Sequence, residues 1–217
     1  MARYLAKNGV TSFAPASMTL PYDVLEAAYK IAAALKKAAP EGRARLMGIN
    51  MEGPFFSEKK KGAQNAAYLR EPDFEAFSKL FAAGNGIVRI VDVAPELPGA
   101  AEFVRKASKQ CTVSIAHTDA SYDDAVCAIE AGVTHLTHLY NAMPGTHPPR
   151  PRPHLLAALE DGADVELITD NVHIHPAVVR FTFNTFGDDH VILIADSMMA
   201  CGLPDGQYSL GGQAVTV

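Results

Sequence analysis

Cysteine is scarce in this chain of 217 residues: Cys111, Cys127 and Cys201 stand far apart, with no Cys-x-x-Cys pair. So sparse and odd a set argues against a disulfide framework and suits a reducing compartment. No apolar run approaches the roughly 18 to 20 residues that a membrane-crossing helix needs. The opening Met1-Ala2-Arg3-Tyr4 has neither the apolar stretch nor the small-residue cleavage site of a secretory signal. Basic charge is lacking too. Nineteen Lys and Arg face 24 Asp and Glu, a net charge of -5, which argues against nucleic acid or an anionic membrane surface as partner. What remains, 48% hydrophobic and 20% charged residues, is the composition of a globular chain long enough to bury a sizeable core. The expectation is a cytoplasmic enzyme or binding domain.

Short β-rich runs alternate with helical patterns along the whole length. The patterning predicts strands over 9–14, 46–51, 87–93, 112–116, 135–137, 165–169 and 191–195. Several are nearly continuous apolar runs, as expected where both faces of a parallel strand are covered. Helices are predicted over 22–38, 73–83, 100–109, 122–131, 154–160 and 176–186. Ser121 with Asp124 three residues on forms a capping-box signal, and Gly132 supplies a stop. Such alternation means a mostly parallel sheet, doubly wound or closed as a (β/α) barrel. No glycine-rich phosphate fingerprint follows the first strand, which disfavours a dinucleotide fold. Five predicted strands close with an ionisable residue at the C-terminal end: Glu52, His117, His138, Asp170 and Asp196. In a barrel those ends converge on the face that carries the chemistry. Two long loops, 53–72 and the proline-rich 144–153, are candidate substrate walls.

One glutamate and two histidines at strand ends suit Zn²⁺ or another divalent ion, with a position left open for water. The bland alternative is two satisfied core histidines and a glutamate paired with lysine. Asp196 is the candidate general base and then acid; its alternative is a turn-forming aspartate. His173 reads as ligand-contacting and His175 as structural. His147, His154 and His190 read as loop histidines, and His135 as a packing residue. Lys59, Lys60 and Lys61 read as a solvated run, whereas Arg150 and Arg152 in a stiff loop could grip an anion.

These strings resemble a known family. Met51-Glu52-Gly53-Pro54-Phe55 with Lys61-Gly62-Ala63-Gln64-Asn65 looks like the metal-glutamate segment of N-acetylglucosamine-6-phosphate deacetylases. Ser114-Ile115-Ala116-His117-Thr118-Asp119-Ala120 and Thr137-His138-Leu139-Tyr140-Asn141-Ala142-Met143-Pro144 resemble its two metal-histidine segments. Asp170-Asn171-Val172-His173 and Ala195-Asp196 resemble its substrate-histidine and catalytic-aspartate segments. The resemblance implies an α/β, TIM-like amidohydrolase barrel. Glu52, His117 and His138 would hold one divalent metal ion, zinc first, with iron or another ion as alternatives. Asp196 would be the catalytic acid–base. Ala63, Gln64, Asn141, Ala142, His173 and either Arg150 or Arg152 would contact an amino-sugar phosphate. The implied reaction is hydrolysis of N-acetyl-D-glucosamine 6-phosphate to glucosamine 6-phosphate and acetate.

Departures go with it. Family members carry Arg-x-Pro-Gly after the Asn-Ala-Met-Pro string, where this chain reads Pro149-Arg150-Pro151-Arg152-Pro153. Position 64 is glutamine where some members have histidine. Family chains are longer, so residues 1–217 are expected to form an incomplete barrel of about seven of eight strands. The small β-sandwich domain would be largely missing, and the segment after about residue 205 would lead toward it. Two rival readings stay open: a deacetylase of another acetamido sugar, and an inactive fragment that binds sugar or metal. The family is often dimeric, which leaves a homodimer open.

Overall fold

The computed structural model describes residues 1–39, 41–145 and 162–217. Among these residues the chain forms ten strands and six α-helices. The strands are β1 (Ser12–Phe13), β2 (Arg45–Leu46), β3 (Ile49–Met51), β4 (Val88–Val93), β5 (Thr112–Ile115), β6 (His135–Leu136), β7 (Asp164–Ile168), β8 (Val191–Ile194), β9 (Gln207–Leu210) and β10 (Gln213–Thr216). The helices are α1 (Ala2–Lys7), α2 (Tyr22–Ala38), α3 (Phe74–Ala83), α4 (Ala100–Ala107), α5 (Tyr122–Ala131) and α6 (Pro176–Phe186).

Strands β3 to β8 form one six-stranded parallel sheet in sequence order. β1 pairs in parallel with β2, and a single bridge from Ala16 to Asn50 carries that pair on to β3. The predicted seventh strand is therefore present but is joined by a bridge, not by a continuous ladder. The predicted strand over 46–51 is broken at Met47-Gly48, where a Cβ on Gly48 would lie 2.1 Å from Arg89 Cγ of β4. This curled parallel sheet with helices between its strands is a partial TIM-like barrel.

The helices begin where local chemistry starts them. Asp73 accepts hydrogen bonds from the amides of Glu75 and Ala76 and opens α3. Ser121 and Asp124 form the anticipated capping box of α5. His175 accepts from Ala177 N and caps α6 with Pro176 at its first turn. Between helices and sheet, Phe55, Phe77 and Phe103 pack edge to face at 4.9 and 5.6 Å, around Val91, Val93 and Val104, none of them exposed. The expected helix over 154–160 lies outside the described residues.

Two elements escaped the sequence reading. α1 is short, with no buried residue. β9 and β10 form an antiparallel hairpin about Gly211 and Gly212, at φ 57° and 81°. The signal was available: a Gly-Gly pair between two four-residue runs is a hairpin signature. At the end of the large sheet, β8 leaves Ile192 41% and Leu193 61% exposed, an apolar edge of the kind proteins usually cover. No helix among the described residues is long and apolar enough to cross a membrane.

Candidate active site

Parallel strands bring their C-terminal ends to one rim. Glu52 follows β3 directly; His117, His138, Asp170 and Asp196 each stand two residues beyond β5, β6, β7 and β8. At three of these the backbone leaves the strand in the left-handed region: φ is 47° at His117, 35° at His138 and 46° at Asp196. That conformation costs about 1–2 kcal/mol for a non-glycine residue, and such outliers concentrate at functional sites. Gly53, at φ 94°, turns the chain immediately after Glu52; a Cβ there would come within 2.2 Å of Thr19 Oγ1.

Three of the side chains meet. Glu52 Oε1 lies 3.0 Å from His117 Nε2 and 3.6 Å from His138 Nε2, and the two Nε2 atoms are 3.2 Å apart. All three residues are buried. His117 is held from two sides: Phe56 stacks on its ring at 4.4 Å, and its Nδ1 is 2.8 Å from the Lys60 carbonyl. A carbonyl only accepts, so Nδ1 carries a hydrogen, and Nε2 is the nitrogen turned to Glu52 and the centre. His138 Nδ1 is buried with no partner among the described residues.

The donor set fits a divalent ion. Ligand bonds of 2.0–2.1 Å in tetrahedral geometry require ligand atoms roughly 3.3 Å apart, and the three separations bracket that value. The electrostatics agree. Burial alone would raise Glu52, but the hydrogen bonds and charges of the two imidazoles outweigh it and hold the carboxyl at about 2. Burial alone would lower His138, but Glu52, with Asp92 and Asp196 beyond it, lifts the ring to about 9. The two shifts are one pairing seen from both sides: the carboxyl is kept ionised, as a metal ligand must be, and the His138 ring holds a proton that a bound ion would displace. Among the described residues, this is the one group of His, Cys, Asp and Glu side chains able to share an ion.

The other predicted residues take varied places. Asp196 is exposed at the rim, yet lost hydration and then the charge of Glu52 raise its carboxyl, with His138, His117 and His173 opposing. Gln64 is buried, donating to Glu52 Oε1 at 3.2 Å and accepting from Thr19 N at 2.7 Å; its nearest role is to brace Glu52. The Ala63 carbonyl accepts from Gln213 Nε2, which docks the β9–β10 hairpin on the long loop. Asn141 donates to the His138 carbonyl, and the Ala142 carbonyl accepts from Thr118 N. His173 is exposed, with Nδ1 2.7 Å from Asp170 Oδ2. Lys59 pairs with Asp119 at 3.2 Å, and Lys60 and Lys61 bond to backbone carbonyls, so the lysine run staples the loop. Arg150, Arg152, His147 and His154 lie outside the described residues.

Sequence reasoning missed the groups behind the site. Glu96 accepts from Thr118 Oγ1 at 2.6 Å and Asp119 N at 2.7 Å, clamping the segment that leaves His117. Asp92 and Glu166 are acids inside buried strands β4 and β7. A lone acid within an apolar run was the available signal, because burying a charge is costly unless it is compensated. Glu166 Oε1 is 3.6 Å from His135 Nε2, but this contact is not an ion pair. Burial foremost lifts Glu166 to about 7, and burial foremost pulls His135 down to about 4, with Asp164 opposing.

The His135 shift has a measurable effect. The unfolded ring titrates at 6.5 and the folded ring at about 4. As pH falls through that window, the unfolded chain takes up the proton first, so folding stability should drop. Relative to a His135→Gln variant, the wild type should lose about 3 kcal/mol between pH 6.5 and 4. Urea unfolding at several pH values checks it; a pH-independent difference would mean the folded ring takes up its proton as readily as the unfolded one.

The fold and this centre define a class, and comparison with known proteins names it. The chain belongs to the amidohydrolase family, whose model matches residues 1–205. Among curated relatives, the N-acetylglucosamine-6-phosphate deacetylase of Bacillus subtilis (strain 168) is 39% identical, aligned over 100% of this chain and 56% of its own length. An N-acetylgalactosamine-6-phosphate deacetylase of Escherichia coli O157:H7 is 33% identical over 99% of this chain and 57% of its own. In structure, a mutant N-acetyl-D-glucosamine-6-phosphate deacetylase of Mycobacterium smegmatis, solved with N-acetyl-D-glucosamine-6-phosphate, superposes with a TM-score of 0.89 at 33% identity. The match covers 95% of this chain and 53% of that one. The chain thus spans a little over half the length of the curated relatives it matches.

Proposed function

We propose that this chain carries the metal centre and acid–base group of a deacetylase that hydrolyses the acetamide of N-acetyl-D-glucosamine 6-phosphate. The observation that carries the reading is the Glu52–His117–His138 triangle, with separations of 3.0, 3.2 and 3.6 Å, in a chain 39% identical to a deacetylase of that substrate. Glu52, His117 and His138 would hold one divalent ion, with zinc as first candidate for this nitrogen and oxygen donor set. When bound, that ion supplies Lewis acidity, which acidifies water and polarises a carbonyl.

The remaining work falls to the chain. Asp196, its carboxyl raised from the ordinary aspartate value by lost hydration and then the charge of Glu52, takes a proton from the attacking water as the water oxygen bonds to the acetyl carbon. When the carbon–nitrogen bond breaks, the same carboxyl returns the proton to the departing amine, leaving acetate and the free amino sugar. Glu52, braced by Gln64, and His117, locked by Phe56 and Lys60, keep the reacting groups in place. His173, oriented by Asp170, and Asn141, Ala142 and Ala63 line the rim where the sugar phosphate would lie, with Arg150 or Arg152 for its phosphate. Residues 1–217 would be one barrel unit, the segment from about 205 leading out of it. A cytoplasmic location and a homodimer belong to the same proposal.

The test is acetate release from N-acetylglucosamine 6-phosphate by the purified chain, with metal content measured on the same sample. The expected result is turnover with about one divalent ion per chain and little turnover of the unphosphorylated sugar. The epimeric N-acetylgalactosamine 6-phosphate, run in parallel, decides the alternative raised by the E. coli relative. Bound metal without turnover on either phosphate would overturn the enzymatic reading and leave a metal-binding fragment.

A further inference from the structure

Beneath the three converging side chains lies a second polar layer that the reaction does not use. Asp92, next to last in β4 and 0% exposed, accepts from Asn50 Nδ2 at 3.2 Å and from Thr137 Oγ1 at 2.9 Å. Thr137 Oγ1 is 2.8 Å from Ser114 Oγ, which is 2.8 Å from His135 Nδ1. Asn50 stands two residues before Glu52, Ser114 three before His117, and Thr137 immediately before His138. Every strand that delivers a candidate ligand is therefore fastened, one layer down, to a single carboxyl group or to its hydroxyl partner. The Asp92–Thr137 bond also joins β4 to the end of β6 across the intervening β5, a link that no backbone ladder can make.

Barrel interiors are usually filled by branched apolar residues, which need no partners. Polar groups buried in their place cost free energy unless bonded, so this layer calls for a reason beyond packing. We infer that Asp92 is a positioning residue which, through Asn50 and Thr137, sets the mutual spacing of Glu52, His117 and His138 and so their affinity for a divalent ion. The inference rests on the metal reading above. It is consistent with charge: burial foremost, then Glu52 and Glu166, hold the Asp92 carboxyl well above the usual carboxylate range.

The test titrates the purified full chain with Co²⁺, following the visible absorbance and competing with a chelator, alongside urea unfolding of the metal-free protein. Thr137→Val keeps the shape and deletes the hydroxyl. It should weaken Co²⁺ binding by about tenfold or more and alter the absorbance band, in the range seen for supporting groups around metal ligands. Ser114→Ala cuts the chain one step further on and should weaken binding less; it serves if Thr137→Val fails to fold. Asp92→Asn keeps the shape but turns one accepting oxygen into a donor, so it should lose the Asn50 or the Thr137 bond and weaken binding by roughly threefold or more. Lower urea stability with unchanged Co²⁺ affinity and spectrum in the folded variants would make the layer merely structural and overturn the inference alone. A wild-type chain that does not bind Co²⁺ would overturn the metal reading and this inference together.

Discussion

Asp196→Asn should lower acetate release by about 10²-fold or more while leaving the metal in place. The amide is close to the carboxylate in size and can still hydrogen-bond, but it cannot take a proton from water and return it to an amine. Asp196 stands outside the triangle of nitrogen and oxygen atoms that would hold the ion, so its replacement leaves that donor set whole. It is close enough to Glu52, His117, His138 and His173 to feel their charges. Initial rates with saturating substrate, and metal per chain on the same sample, check both halves. Near-normal turnover would reassign the proton-transfer role, with the His173–Asp170 pair at 2.7 Å the next candidate. Lost metal would instead move Asp196 into the ligand set.

His117→Ala should have the opposite signature. Removing Nε2 leaves Glu52 and His138 as a two-atom site and also strips Phe56 of its stacking partner. The loss of affinity should exceed the roughly 10- to 100-fold seen when supporting groups are removed, and turnover should vanish with the metal. Chelator competition measures this directly. Unchanged occupancy would show that His117 is a core histidine whose contacts to Glu52 and Lys60 are structural. The pair of variants separates two failures that activity alone would merge: metal bound without chemistry, and chemistry lost because metal is lost.

The barrel face was legible in the sequence because two independent patterns coincide there. Near-continuous apolar runs mark parallel strands, and an ionisable residue at the end of each run marks one rim. Glu52, His117 and His138 were found that way and do converge; His175 was read as structural and does cap α6. The helix bounds over 22–38, 122–131 and 176–186 match; the last two start at local caps, Ser121 with Asp124 and His175, whereas the first opens at Pro21 with no side-chain cap. Gln64 was harder. Its resemblance suggested substrate contact, but a residue 12 positions along a loop meets Glu52 only because the loop folds back under Thr19. Asp92 and Glu166 carry the signal of an acid within an apolar run, but where they and Ser114 point was hidden for a different reason. When both faces of a strand are covered, periodicity cannot say which alternate residues point along the barrel axis, so an interior acid looks like an outward one.

That interior layer bears on how the chain reaches its fold. Asn50, Asp92, Ser114 and Thr137 find their partners on β3, β4, β5 and beyond the end of β6, with His135 of β6 extending the chain. No single hairpin or strand pair satisfies them. A half-assembled sheet would hold desolvated hydroxyl, amide and carboxyl groups with nothing to bond, each costing about 1–3 kcal/mol. Partly built intermediates are thereby raised in free energy relative to both the open chain and the finished sheet. An all-apolar interior would tolerate strands joining one at a time. Here the middle strands are pushed to arrive together, and the groups beneath the site make folding of the half-barrel more nearly all-or-none.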